Sequence, residues 1–222
     1  MKSNLLVAAL VMGLMAVWPA RHLDQPESLE TAAQFGPPEV VVNEVAWAGT
    51  VANSADEWIE IRNNTTRELD LANYALSWDD GETVIRFNAD ATAETNAVEV
   101  RRTTIPADGF LLLERTDDEV IADLEADVIY TGSLSNGGET LRLRDADGDV
   151  VDEVNANGGE WPAGVASDGD VPYASMERID PEEEGDDGNW ATNDGVIRNG
   201  SDTGDNAING TPKAENSQKH TN

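Results

Sequence analysis

Four carboxylates crowd the first extended segments of the chain, Glu44, Asp56, Glu57 and Glu60, and they offer its only route to acid–base chemistry. Cleaving a glycosidic bond takes two carboxyl groups about 5–10 Å apart whose proton affinities differ. With 44 Asp and Glu among 222 residues, however, neighbouring acids arise by chance, so the favoured reading is solvated or strand-edge carboxylates. Histidine is confined to His22 and His220, near the two ends. A Ser-His-Asp triad, a histidine-ligated zinc and a histidine base are thereby excluded from the part expected to fold. There is no cysteine, which removes thiol nucleophiles, thiolate metal sites and disulfides. No catalytic, cofactor-binding or metal residue is therefore assigned, no cofactor is expected, and the chain reads as a non-enzyme.

Asp145, Asp147 and Asp149 place oxygen ligands at alternate positions around Gly148, as a calcium loop opens. A full loop needs a bidentate acid at its twelfth position, which here is Ala156, so the favoured reading is a hairpin turn. The runs Asp117-Asp118-Glu119 and Glu182 to Asp187 read as solvated faces. Aromatic rings are the other binding chemistry. Trp78 falls at strand spacing and reads as core. Trp161, in Gly158-Gly159-Glu160-Trp161-Pro162, and Trp190, after Gly188-Asn189, fall in loops. Exposed, they would stack on sugars or anchor a partner; the favoured reading is that they plug the ends of the fold.

The elements that must position these groups are short strands. Val40-Val41-Val42-Asn43-Glu44-Val45-Ala46-Trp47 is a β-branched run, and Glu57 to Arg62 is a second strand closed by the turn Asn63-Asn64-Thr65-Thr66. Tyr74, Leu76 and Trp78 alternate with polar or small residues, as do Thr83, Ile85 and Phe87, and Val98 and Val100 are a further short strand. Asn88 to Asn96 reads as an irregular insertion. The turn Pro106-Ala107-Asp108-Gly109 launches Phe110 to Leu113, apolar on both faces. Thr116 to Glu125 has room for one short helical turn. Leu141 and Leu143 alternate with Arg142 and Arg144, then turn at Asp145–Asp149 into Val150, Val151 and Val154, a hairpin. Ser175 to Ile179 is a last strand. Beyond it, Trp190, Val196, Ile197 and Ile208 are the candidate docking points. The pattern predicts an all-β class: an antiparallel β-sandwich with Leu141 and Leu143 inward and both arginines outward.

Charge sets the surface. Net charge is −30, from 14 basic and 44 acidic residues, and eleven of the cations are arginine. The three lysines, Lys2, Lys213 and Lys219, are expected outside the fold. Such a surface repels nucleic acid and anionic lipid, and it fits adaptation to high salt. The apolar run Leu5–Trp18, too short for the roughly 20 residues of a spanning helix, reads as a signal-peptide core or short anchor. Removing residues 1–20 takes one lysine and no acid, leaving −31. The domain plan is 1–20 signal peptide or short membrane anchor, 21–39 linker, 40–180 sandwich, and 181–222 an acidic Gly/Asn-rich segment partly docked on the domain.

Taken in order, Val40–Thr50 (VVVNEVAWAGT), Asp56–Leu76, Thr104–Arg115 (TIPADGFLLLER), Leu134–Val154, Asn189–Asn193 (NWATN) and Ile208–Asn216 (INGTPKAEN) resemble the lamin-tail domain of exported prokaryotic proteins. The long polar stretch Asp79–Arg102 departs from that pattern, as does the lack of a neighbouring enzyme. The resemblance implies an immunoglobulin-like, Greek-key sandwich and an interaction role at the envelope, and it carries over no catalytic residue. The leading expectation is a binding or scaffolding module, secreted or on the cell surface. Its partner would be a protein or cell-envelope component, with no nucleic acid and with membrane contact only through the N-terminal segment. A calcium-dependent carbohydrate- or matrix-binding module and a small carboxylate hydrolase are the alternatives. The sequence leaves the oligomeric state open.

Overall fold

The computed structural model describes residues 36–88 and 95–218. The leader, most of the linker, the middle of the insertion and both histidines lie outside these residues.

Among the described residues, thirteen strands form three sheets. They are β1 (Val40–Ala46), β2 (Trp58–Asn63), β3 (Leu69–Asp70), β4 (Ala75–Trp78), β5 (Thr83–Arg86), β6 (Ala97–Val100) and β7 (Thr104–Ile105). There follow β8 (Phe110–Arg115), β9 (Val128–Tyr130), β10 (Leu141–Arg144), β11 (Val150–Val154), β12 (Met176–Arg178) and β13 (Trp190–Thr192). The larger sheet runs β13-β12-β1-β2-β8-β9-β6, the smaller β11-β10-β4-β5, and β3 pairs with β7 alone. The expectation of purely antiparallel sheets fails at one place, since β8 and β9 pair in parallel. The segment Thr116–Glu125, made of turns with no helix, crosses back between them and lets β9 run in the same direction.

Alternation decides the packing. Ile59, Ile61, Leu111 and Leu113 of the larger sheet meet Leu76, Ile85, Leu141 and Leu143 of the smaller one, all fully buried in one core. Each such side chain contributes about 1.5–3 kcal/mol by leaving water. Leu141 and Leu143 point in while Arg142 and Arg144 stay half-exposed, the register the sequence predicts. Beyond the apolar contact, the sheets are joined by a buried ion pair. Arg178 of β12 grips Asp152 of β11 through Nη2 at 2.8 and 2.7 Å. Asp152 also accepts the Val42 main-chain N–H of β1 at 2.8 Å.

The outer face of the larger sheet is covered too. Trp58 and Leu112 on that face pack with Val120, Ile121 and Ile208 in a second, smaller core. Ile208 and Trp190 therefore dock as expected, whereas Val196 and Ile197 do not: they are 81% and 53% exposed. Lys213, expected outside the fold, belongs to this cover. Its ammonium lies 3.3 Å from Asp127 and donates to the Glu125 carbonyl.

Candidate functional site

A break in the alternation of β1 builds the most unusual feature of the molecule. Val40 and Val42 face the core, and strict alternation would send Glu44 there as well. A bulge between Val42 and Glu44 absorbs Asn43 as an extra residue. Val45 thereby returns to the core and Glu44 turns to the outer face. Glu44 stands directly beside Glu60 of β2 and Glu177 of β12, so three carboxyl groups cross the sheet in one row. All three are fully buried. The reading of solvated or strand-edge carboxylates is therefore wrong for Glu44 and Glu60: the closing segment of the chain lies over them.

That segment, 209–217, donates to each carboxyl in turn. The Thr211 N–H reaches Glu44 Oε1 at 2.9 Å, the Lys213 N–H reaches Glu60 Oε2, and the Ser217 N–H reaches Glu177 Oε2 at 3.0 Å. Hydroxyls add to this: Ser175 donates to Glu44 at 2.5 Å and Ser217 to Glu177 at 2.5 Å. Asn43, the bulge residue, donates to Glu60 at 2.9 Å and to Asn216 Oδ1 at 2.8 Å. Gly210 lies so close that a Cβ there would come within 2.8 Å of both Glu44 Oε1 and the Trp58 ring. Burial, then the charge of Glu177, pushes the Glu44 carboxyl up to about 8. Glu60 is raised well above the carboxylate range by burial and then by Glu44.

The other acids of the first segment go elsewhere. Glu57 points to the opposite face from Glu60, where it accepts the Leu134 N–H at 2.7 Å and pairs with Arg115 at 2.9 Å. It too is buried, and burial lifts its carboxyl to about 7. Asp56 is half-exposed and accepts from Thr50 and Asn53. The four acids therefore do not share a cleft, and Glu44 and Glu60 are out of reach of any substrate while the cover is in place.

The tryptophans are consumed by the fold. Trp47 and Trp161 stack with ring centroids 6.2 Å apart, and their indole N–H groups donate to the Ala163 and Ser135 carbonyls. Trp190 is buried under Arg178, whose guanidinium sits 5.0 Å from the ring centroid. Neither Trp161 nor Trp190 presents a face for a sugar. Asp145 spends Oδ1 on the N–H groups of Asp147 and Asp149, both at 3.0 Å, in the β10–β11 turn. In the run Glu182–Asp187, main-chain carbonyls carry the structural bonds: Glu183 accepts from Arg178 and Gly185 from Trp190. Of the second run, Asp118 is bonded to Arg101. Among the described residues, no group of three or more Asp, Glu, His or Cys is arranged to hold a metal ion. A groove of about 300 Å³ beside the cover includes Arg62, Arg178, Asp180 and Glu215 in its walls. Arg62 pairs with Glu215 at 3.0 Å and Arg178 with Asp152.

Reasoning from the sequence missed Glu177, Thr211, Asn216 and Ser217 as members of the network around the carboxyl row. The available signal was the Asn43-Glu44 pair, two consecutive polar residues inside a run of valines. No curated protein matches the chain. The family model described as Lamin Tail Domain matches residues 33–158, more than half of the chain, over the strands that carry Glu44, Glu60 and the β10–β11 hairpin. With an all-β sandwich under that match, the chain belongs to the lamin tail domain family of immunoglobulin-like modules.

Proposed function

We propose that the chain is a non-catalytic binding and scaffolding module that works at the cell surface or outside the cell, on a protein or other envelope component. The observation that carries this reading is the loop at Asn193–Ile197. Asp194 Oδ1 accepts the N–H groups of Val196 and Ile197 at 2.7 and 2.9 Å. Asn193 accepts from Gly195 at 2.8 Å and donates to the Ile197 carbonyl at 3.0 Å. Two adjacent branched apolar side chains are thus held out in water on a braced turn. A tip ordered in advance loses little entropy on contact, and each side chain it buries is worth about 1.5–3 kcal/mol. Sealed carboxyls and buried tryptophans support binding over hydrolysis or sugar stacking. The run Leu5–Trp18 supports export, and the net charge of −30 supports a salt-rich surrounding and speaks against nucleic acid.

The test is protease shaving of intact cells, with a photo-cross-linker in place of Val196. The chain should be digested from outside, and the linker should form one saturable adduct with an envelope component. Val196→Asp with Ile197→Asp should reduce capture by at least about tenfold, roughly the 1.4 kcal/mol that burial of one such side chain exceeds, with melting unchanged. A chain protected within intact cells, or capture indifferent to the double substitution, would refute the reading.

A further inference from the structure

Three carboxyl groups side by side in a dry row cannot all be ionised cheaply. Each buried charge costs several kcal/mol, and like charges opposite one another repel. One atom shows how the row is resolved. The Thr211 hydroxyl oxygen lies 3.0 Å from Glu44 Oε2, 2.9 Å from Glu177 Oε1 and 3.4 Å from Asn216 Oδ1. A hydroxyl has one hydrogen to give. It can bond both carboxyls only by donating to one and accepting from the other, so the bridge must hold a second proton. We propose that the closing segment, 209–217, is a proton-operated latch: a proton in the Glu44–Thr211–Glu177 bridge holds it on the sheet, and loss of that proton loosens it.

The surroundings favour the proton. Arg62, whose charge acts on Glu60, is paired with Glu215 of the latch. Lys213 turns to Asp127 and the Glu125 carbonyl. Arg178 lies on the opposite face, committed to Asp152, and offers the row only its carbonyl, which accepts from Asn216 at 2.7 Å. Arg198 reaches Asn209, and Asp194 meets the latch through its N–H to Ser217. Among the described residues, no Lys or Arg forms an ion pair with Glu44, Glu60 or Glu177, in keeping with the Glu44 carboxyl at about 8. Because that value lies above the ordinary 4.5, the folded chain holds more protons than the unfolded one across this interval. The latch contribution is complete on the acid side and fades as pH rises towards 8. The latch also reaches the apolar tip. Asn193 Nδ2 bonds both Glu177 Oε1, at 2.7 Å, and the Ile197 carbonyl, and the Asp194 N–H bonds Ser217.

Hydrogen–deuterium exchange of the full chain, corrected for the intrinsic rate, reads the latch directly and needs no partner. Ordinary carboxylates finish titrating near pH 5, so between about pH 6 and about pH 8 the carboxyls that change are the raised ones; His22, His220 and the N-terminal amine also titrate there and are common to the wild type and every carboxyl variant. Opening of 209–217, and of 193–197 with it, should increase up to about tenfold per pH unit for the one proton lost, while β8 stays protected. Glu44→Gln supplies an N–H where the proton sat and should remove the Glu44 share of the slope, while Glu60, the other raised carboxyl under the latch, keeps its own. Glu177→Gln, on the other side of the same hydroxyl, removes the neighbouring charge and should move the fade to lower pH, and Thr211→Ser should retain the wild-type profile. Glu114→Gln, a buried acid away from the latch, should leave the slope intact. Constant protection in the wild type from about pH 6 to about pH 8, or a slope undiminished by Glu44→Gln, would overturn the proposal.

Discussion

Removing one member of the Arg178–Asp152 pair should be among the most damaging single changes in the molecule. The two side chains are 0% and 4% exposed. Arg178 also donates to the Val42 carbonyl at 2.9 Å and to the Glu183 carbonyl at 3.0 Å. Burial raises the Asp152 carboxyl despite the facing guanidinium, so desolvation outweighs the attraction. A pair of this kind costs little when replaced as a whole and much when halved, because halving strands a charge in the core. Asp152→Asn keeps the shape and the acceptor for Val42 but leaves Arg178 uncompensated, and should cost about 3–5 kcal/mol. At about 2–4 °C per kcal/mol for a chain of this size, the melting temperature should fall by roughly 6–20 °C. Adding Arg178→Met removes the stranded charge. It leaves the Val42 and Glu183 carbonyls short of a donor, at about 1–3 kcal/mol, so the double variant should be more stable than Asp152→Asn alone. Denaturant unfolding of the wild type, both single variants and the double variant at one salt concentration closes the cycle. Single losses below about 1 kcal/mol, or losses that simply add, would show that this pair does not clamp the sheets.

Raising KCl from about 0.1 to about 1 M shortens the screening length from roughly 10 to 3 Å, so the melting temperature should climb; indifference to salt would end the case for a salt-adapted surface. Gly138→Ala should cost at least about 2 kcal/mol, since φ is +101° and the new Cβ would stand 1.8 Å from the Gly159 carbonyl oxygen; unfolding at unchanged denaturant concentration would contradict this. Burial, then Asp118, lifts the Glu114 carboxyl to about 8, so Glu114→Gln should gain on the wild type by up to about 1.4 kcal/mol per pH unit as pH rises towards 8, measured as paired unfolding curves. Deleting residues 1–20 should leave a folded chain inside the cell, and continued export would refute the role given to the N-terminal run.

What was legible in the sequence was whatever alternation encodes. Leu141, Leu143 and their arginines read correctly because a slip of one residue would invert the whole hairpin, and the spacing permits only one choice. The β1 bulge was not legible. In a run of valines either face is apolar, so periodicity cannot say whether Asn43 is paired or extra. The carboxyl row depends on that choice, and on β12 pairing with β1 more than a hundred residues away in sequence. Charge composition misled in the same place. Among 44 acids the prior for any one is a wetted surface; only the Asn43-Glu44 pair inside the valine run hinted otherwise, and nothing marked Glu60. Lys213 was misplaced for a related reason, since the segment around it has no periodicity and is fixed by hydrogen bonds to side chains across the sheet.

The family match ends at residue 158, yet the physics of the fold does not end there. Strands β12 and β13 complete one edge of the larger sheet, and Glu177 completes the row. Without the segment 209–217, Glu44 and Glu60 would lose the N–H groups of Thr211 and Lys213 and stand open to water on a sheet already crowded with acids. Without Ile208, the outer core of Trp58, Leu112, Val120 and Ile121 would be uncovered. Arg178, which answers Asp152 inside the matched part, also lies beyond its end. Two buried groups within the match therefore depend on residues outside it: Asp152 on the Arg178 guanidinium, beside the Val42 N–H, and Glu44 on Ser175 and Thr211. The closing segments consequently belong to the same cooperative unit as the matched strands, and a chain cut after residue 158 would leave Asp152 without its guanidinium and Glu44 without its hydroxyl and N–H donors.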